Sequence, residues 1–252
     1  MELFKNIKIN NEIYQLELEP IIKRPTYSGK IYRLQIKDNL MAIKLYRTQK
    51  CDNYEIQDDW FPPLKDITKF IELSSQTFPL LLSNSIVLDE NDKYIGCSSY
   101  YVSDSNDTSK MTIFDIPREQ FFFDIFSLEE QLSICSNNHI LINDLSIFNL
   151  KFGTITKNPN KERIYFFDDS NYRLADYNIK IIETENHEEF NEFGLNILEY
   201  YFDSNLYFKE QYAEFLYEVS RNKNVFSFIE KESRDYLTIS DFLQDRVKRY
   251  LK

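Results

Sequence analysis

Between two apolar runs the chain places LINDLSIFNLKF, residues 141–152, in which Asp144 and Asn149 stand five positions apart where a plain buried strand would be apolar. An aspartate can accept a proton or bind a hard cation, and an asparagine carbonyl can join it as an oxygen ligand. Two further polar features follow apolar, strand-like runs: Lys44 closes MAIK, and Asp168-Asp169 closes IYFFDD. Singly, each has an ordinary explanation. An Asp and an Asn five apart arise by chance in a chain rich in both, a lone strand lysine is a surface residue, and an Asp pair is a turn or a solvated helix cap. Their order, each behind an apolar run, argues for chemistry.

Composition limits that chemistry. The chain has 252 residues, enough for one large domain or two lobes around a cleft, and 42% hydrophobic residues with 16% aromatic describe a packed protein. A formal net charge of −11 gives no field that gathers polyphosphate, which disfavours general nucleic-acid or anionic-membrane binding. Cys51, Cys97 and Cys135 lie far apart with no C-x-x-C pair, and read as reduced thiols. The N-terminus lacks the apolar core of a signal peptide, and TFPLLL, SIVL and FFFDIF are too short to span a bilayer, so a soluble, cytoplasmic protein is expected. His139 and His187, the only histidines, read as structural, and Trp60 as packing.

The elements that must position these residues divide into two halves. Up to about Val102 the signals are strand-like: EIYQLEL, KIYRLQI and LMAIKLYR alternate or run apolar, with a turn at Lys37-Asp38-Asn39. Pro62-Pro63 opens a helix in which Leu64, Ile67, Phe70 and Ile71 repeat at helical spacing, and a second hairpin turns at Glu90-Asn91-Asp92. The polar SDSNDTSK from Ser103 reads as a hinge. Beyond it, Ser127 with Glu130 reads as a capping box opening an amphipathic helix; after the Asp–Asn stretch come two short strands joined by a polar, Pro-containing loop. HEEFNEFGLNILEYYF, YFKEQYAEFLYEVSRN and TISDFLQDRVKRYLK read as helices.

In this order the chain resembles a minimal member of the protein-kinase-like superfamily. Met41-Ala42-Ile43-Lys44 resembles the third-strand V-A-I-K, Asp144 to Asn149 the D-L-x-x-x-N of the catalytic loop, and Phe166-Phe167-Asp168-Asp169-Ser170 stands where D-F-G would. The matched region runs from about Gly29 to Ser170. The resemblance implies an α+β, two-lobed fold: residues 1–103 an antiparallel sheet with one helix that clamps nucleotide, and 104–252 a mainly helical lobe with catalytic loop and metal ligand. It implies ATP and Mg²⁺ as cofactors, Asp144 as the group orienting the attacking hydroxyl, Asn149 and Asp168 as metal ligands, and Lys44 on the phosphates. Gly29, Ile31 and Ala42 would contact the nucleotide, with Asp66 or Glu72 of the first helix as the partner of Lys44.

The chain also departs from the pattern. Ile142 and Asn143 stand in place of the His and Arg before the catalytic Asp, no A-P-E motif follows Asp168, and of the glycine loop only Gly29 remains, with Arg24 and Thr26 in the other glycine places. Control by a phosphorylated activation loop is therefore not expected, because the phosphate would lack its Arg. The resemblance implies a phosphotransferase acting on Ser/Thr hydroxyls of a protein. The alternatives are a small-molecule kinase of the aminoglycoside or choline type, and a nucleotide-binding pseudokinase that works through a partner.

Overall fold

The computed structural model describes residues 4–17, 19–21, 29–46, 48–51, 54–57, 62–103, 113–167, 169–204 and 212–250. It is an α+β fold with a large antiparallel sheet and, among the described residues, six helices. The sheet contains β1 (Phe4–Ile9), β2 (Glu12–Glu17), β3 (Gly29–Ile36), β4 (Asn39–Tyr46), β7 (Ser85–Leu88) and β8 (Tyr94–Tyr100), in the order β2-β1-β7-β8-β4-β3. A separate hairpin, β5 (Thr48–Cys51) with β6 (Tyr54–Gln57), and helix α1 (Leu64–Leu73) lie between β4 and β7 in the chain. The expected hairpins are present. Lys37 sits at the β3–β4 turn with φ 52°, and Asp92 at the β7–β8 turn with φ 61°. Strand β1 was not read from the sequence; FKNIKI carries two lysines and an asparagine, yet Ile7 and Ile9 are buried.

Alternation along the strands gives the sheet two different faces. One packs Ile7, Ile9, Tyr32, Met41, Ile43 and Val87 into a core of its own. The other carries Ile31 and Cys97, both in register with Lys44, and Ser99 in register with Ala42. That second face is turned toward the helical half.

The helical half begins with α2, Arg118–Asn137, whose N-cap position is Pro117. This corrects the expected start at Ser127, which lies in mid-helix with its hydroxyl donating to the Phe123 carbonyl four residues back. The run FFFDIF, strand-like by composition, is the first half of this helix. Short strands follow: β9 (Ile140–Leu141), β10 (Leu150–Ile155), β11 (Asn158–Phe166) and β12 (Arg173–Leu174). β10 and β11 form the expected strand pair, but Pro159 lies in β11 and the turn is at Thr156-Lys157. The remaining helices are α3 (Ile179–Ser204), α4 (Tyr212–Ser220), α5 (Val225–Glu232) and α6 (Ile239–Tyr250). Helix α5 was not expected.

The largest core crosses the position read as a hinge. It joins Ile67, Phe70, Leu80 and Leu82 from the first half to Phe121, Ile125, Phe166 and Phe193 from the second. The chain after α1 is also bonded to the end of β11, with Leu81 N donating to Phe166 O at 2.7 Å and Phe166 N to Pro79 O at 3.1 Å. Most of SDSNDTSK lies outside the described residues. Among the described residues, no helix is long and apolar enough to cross a membrane.

Candidate functional site

Lys44 projects from the face of β4 opposite the sheet's own core and is buried. It lines a cavity of about 210 Å³ between the sheet and the β10–β11 hairpin. Ile31 and Ala42 line it from the sheet, with Ile21, whose N–H donates to the Ile31 carbonyl at 2.9 Å. Tyr100, Tyr101 and Val102 line it where β8 runs out, and Phe167, Lys151 and Asp169 close it from the other half. Gly29 lies beside the cavity-lining Ile31 with φ 154°, where a side chain is strained and a Cβ would come within 2.2 Å of the Leu45 carbonyl oxygen.

Asp169 is the acidic residue on this cavity, and nothing in the sequence separated it from its neighbour. Its carboxylate is buried and accepts from Ser83 N at 2.6 Å and Ser83 Oγ at 3.0 Å. Ser83 is placed by the backbone bonds that tie the segment after α1 to the end of β11. Asp168, the expected metal ligand, lies outside the described residues, as do Arg24 and Thr26. Cys97 lines the same cavity, and its thiol is pushed up to about 12, chiefly by burial and then by the Asp169 charge, with Ser83, Tyr46 and Lys44 opposing. Such a thiol is inert.

The loop with Asp144 and Asn149 is built from β9 outward. Ile142 is buried, and its N–H donates to Asn186 Oδ1 at 2.7 Å. Asn186, buried on α3, uses its amide nitrogen on Ser136 Oγ at 2.8 Å and the Ile140 carbonyl at 3.0 Å. One turn on, Glu189 accepts from Leu145 N at 2.8 Å. Burial raises the Glu189 carboxyl above its ordinary value, and the charges of Glu192 and Asp144 add to that.

Between these anchors Asp144 takes φ 63° and is exposed. Aspartate tolerates this left-handed region better than most residues. Its Oδ2 accepts from Asn171 Nδ2 at 3.0 Å, while Asn143 Nδ2 donates to the Asn171 carbonyl, also at 3.0 Å. Asn171 thus links the loop to the segment carrying Asp169. Asn149 closes the other side, its carbonyl accepting from Phe167 N at 3.0 Å and its Nδ2 directed at the Asp144 carbonyl at 3.4 Å. Sequence reading named neither Asn171 nor Asn186, and the acidic run 188–192 that contains Glu189 reads as a solvated helix face. A recess of about 480 Å³ opens beside Asp144, lined by Glu189, Glu192, Glu199 and Asp203 along α3.

Lys44 and Asp169 therefore share one cavity, and Asp144 and Asn149 are hydrogen-bonded to the segment that lines it. Asp66 and Glu72 do not line it. Glu72 is exposed and pairs with Lys69 at 3.2 Å. Asp66 is buried, with Oδ2 accepting from Leu174 N at 3.3 Å and Oδ1 without a hydrogen-bond partner, and burial raises its carboxyl above the ordinary range.

Among the described residues, no group of three or more His, Cys, Asp or Glu is placed to hold a metal ion by itself. Mg²⁺ rarely uses such a cage; it is held by one or two carboxylates, water and substrate phosphates. The Asp169 carboxylate and the Asn149 amide oxygen are donors of that kind, Asp169 on the cavity and Asn149 on the loop bonded to Phe167. Neither protein-family models nor curated proteins yield a match to this chain.

Proposed function

We propose that the chain is a two-lobed, protein-kinase-like phosphotransferase that moves the terminal phosphoryl group of a magnesium-bound nucleoside triphosphate, ATP in the family it resembles, to a hydroxyl. A Ser or Thr side chain of a protein is the favoured acceptor. The observation that carries this reading is the convergence of Lys44 from the sheet and Asp169 from the helical half on one cavity, with Asp144 tied to the same segment through Asn171.

Phosphoryl transfer asks a protein for positioning and charge compensation more than for covalent chemistry. Lys44, buried on the cavity, supplies a cation for the phosphates, and burial makes its charge worth more than it is in water. Asp169 and Asn149 offer the hard oxygen atoms that would hold Mg²⁺, whose charge offsets that of the phosphates when bound. Asp144, held in a left-handed conformation, presents its carboxylate to solvent, where it orients the acceptor hydroxyl and takes its proton. Asn171 fixes that carboxylate, as a positioned base requires.

A small-molecule acceptor is the second reading, favoured by the carboxylate-lined recess at Asp144, which suits an alcohol that also carries amines. Purified protein with labelled nucleotide and Mg²⁺ separates the two: label on lysate proteins supports the first, and label only on added amino-alcohols supports the second. The common core is tested by heat. Nucleotide with Mg²⁺ raises the melting temperature by mass action, and nucleotide with a chelator does so much less. The absence of a shift in both cases would refute nucleotide binding.

A further inference from the structure

The large sheet curls around its own core. That core draws on all six strands, and the two edge strands, β2 and β3, approach each other. A sheet curled in this way has open mouths, and the mouths of barrels are common places for small-molecule pockets. At one mouth, where the β1–β2 and β3–β4 turns meet the start of β7 and the end of β8, lies a second cavity of about 370 Å³. Ile9 and Met41 of the sheet's core line it, as do Tyr14 and Tyr100. Cys97 and Ser99 line the Lys44 cavity, whereas Ser98 between them lines this one, so the two lie on opposite faces of β8 there and share Tyr100.

The polar groups of this second cavity are mostly amides and hydroxyls. Ser98 Oγ donates to Asn84 Oδ1 at 2.9 Å, and Ser85 Oγ donates to the Asn84 carbonyl at 2.8 Å. These bonds fix Asn84 and leave its amide nitrogen with two N–H groups and no hydrogen-bond partner among the described residues. The Asn39 amide and the Tyr100 hydroxyl, which line the same cavity, have none either. The charges at the mouth are committed to each other: Lys37 pairs with Glu12 at 3.3 Å, and Glu12 also accepts from the Tyr14 hydroxyl.

We propose that this cavity is a second binding site, one for a neutral polyhydroxylated ligand the size of a hexose ring. A sugar hydroxyl both donates and accepts, and so do the amides and hydroxyls that would meet it. The C–H faces of the ring suit the aliphatic and tyrosyl walls. A charged ligand gains nothing from a lysine and a glutamate that already neutralise each other, and it loses hydration on entry. Lys44 and Asp169 line the other cavity and Asp144 a separate recess, so the ligand bound here is not the phosphate acceptor, and the inference stands apart from the phosphotransferase reading.

The test is a saturation-transfer NMR titration of the purified full chain with D-glucose, myo-inositol, D-glucosamine and D-glucuronate, in the wild type, Asn84→Ala and Asn39→Ala. The expected result is saturable, millimolar binding of at least one of the two neutral rings by the wild type, no tighter binding of either charged sugar, and about tenfold weaker binding in each variant, the loss of one hydrogen bond. If neither neutral ring binds the wild type at about 50 mM, the proposal is overturned without any variant having to fold. Tighter binding of glucosamine or glucuronate overturns the neutral class. Unchanged affinity in either variant, with thermal unfolding like the wild type, overturns the placement.

Discussion

Asp144 has a left-handed backbone, a carboxylate bonded to Asn171 and a neighbouring N–H bonded to Glu189, and together these fix where its oxygens lie. Asp144→Asn preserves the shape and the amide contact but removes the base. It is expected to leave nucleotide-induced stabilisation nearly intact while lowering transfer by about two orders of magnitude or more, measured as initial rates beside thermal shifts. Asp169→Asn acts differently, because Asp169 lines the cavity that the proposed function assigns to nucleotide: metal-dependent binding and transfer are both expected to fall. Asp66 gives a prediction about pH. Its carboxyl sits above its ordinary value of 3.8 because burial disfavours the charged form. The native state therefore keeps this proton to higher pH than the unfolded chain does, and stability is lost as pH rises from 3.8 through the raised value. Asp66→Asn removes that loss. The difference in melting temperature, variant minus wild type, is expected to grow across this window and level off above it. A difference that shrinks with rising pH would show that the ionised carboxylate stabilises the fold.

At the scale of elements, the site depends on how α2 holds β11. Asp124 is fully buried in mid-helix and binds Arg163 Nε at 2.6 Å and Ile164 N at 2.8 Å, with Gln120 Nε2 donating at 2.8 Å. Asp124→Ala strands the guanidinium and a backbone N–H, and is expected to cost about 3–5 kcal/mol in chemical denaturation. The double variant Asp124→Leu with Arg163→Met is expected to cost less than the single one. The same pair explains why the start of α2 was not legible. FFFDIF has the composition of a buried strand, and the partner that allows an Asp inside a helix stands 39 residues away. Ser127 with Glu130 copies a cap by spacing alone. Helix α5, NVFSFIEKE with its Asn224 cap, is too short for periodicity to separate it from a strand; the cap bond from Ser227 N at 2.9 Å settles it. The β3–β4 hairpin and α1 were legible because turn residues and helical spacing are local signals. The cavity face of β4 was legible by alternation from Lys44. Asp169, Ser83 and Asn171 were not, since burial and hydrogen bonding between distant segments distinguish them from other polar residues of the same type.

At the scale of the whole molecule, one core runs from α1 through α2 to α3, so the two halves are coupled by packing as well as by the cavity. Tyr172, three positions past Asp169, is buried with its ring 6.4 Å from Phe70 of α1. It is therefore closed to a modifying enzyme in the folded state, and Asn143 offers a phosphate no cation. Protein made in bacteria and treated with phosphatase is expected to keep its full transfer rate, and Tyr172→Phe to remain active; loss of activity on phosphatase treatment, restored by autophosphorylation, would contradict this. The central claim, that two halves assemble one phosphoryl-transfer site, is tested most directly by following the terminal phosphate itself. Wild type, Lys44→Met and Asp144→Asn are incubated with terminally labelled nucleotide, Mg²⁺ and an extract, and radiolabel on any acceptor is measured against time. The account predicts steady transfer by the wild type, none above background for Lys44→Met, and about a hundredfold less for Asp144→Asn with its nucleotide-dependent thermal shift intact. Transfer by Asp144→Asn at the wild-type rate, or its absence in a wild type that binds nucleotide, would contradict it.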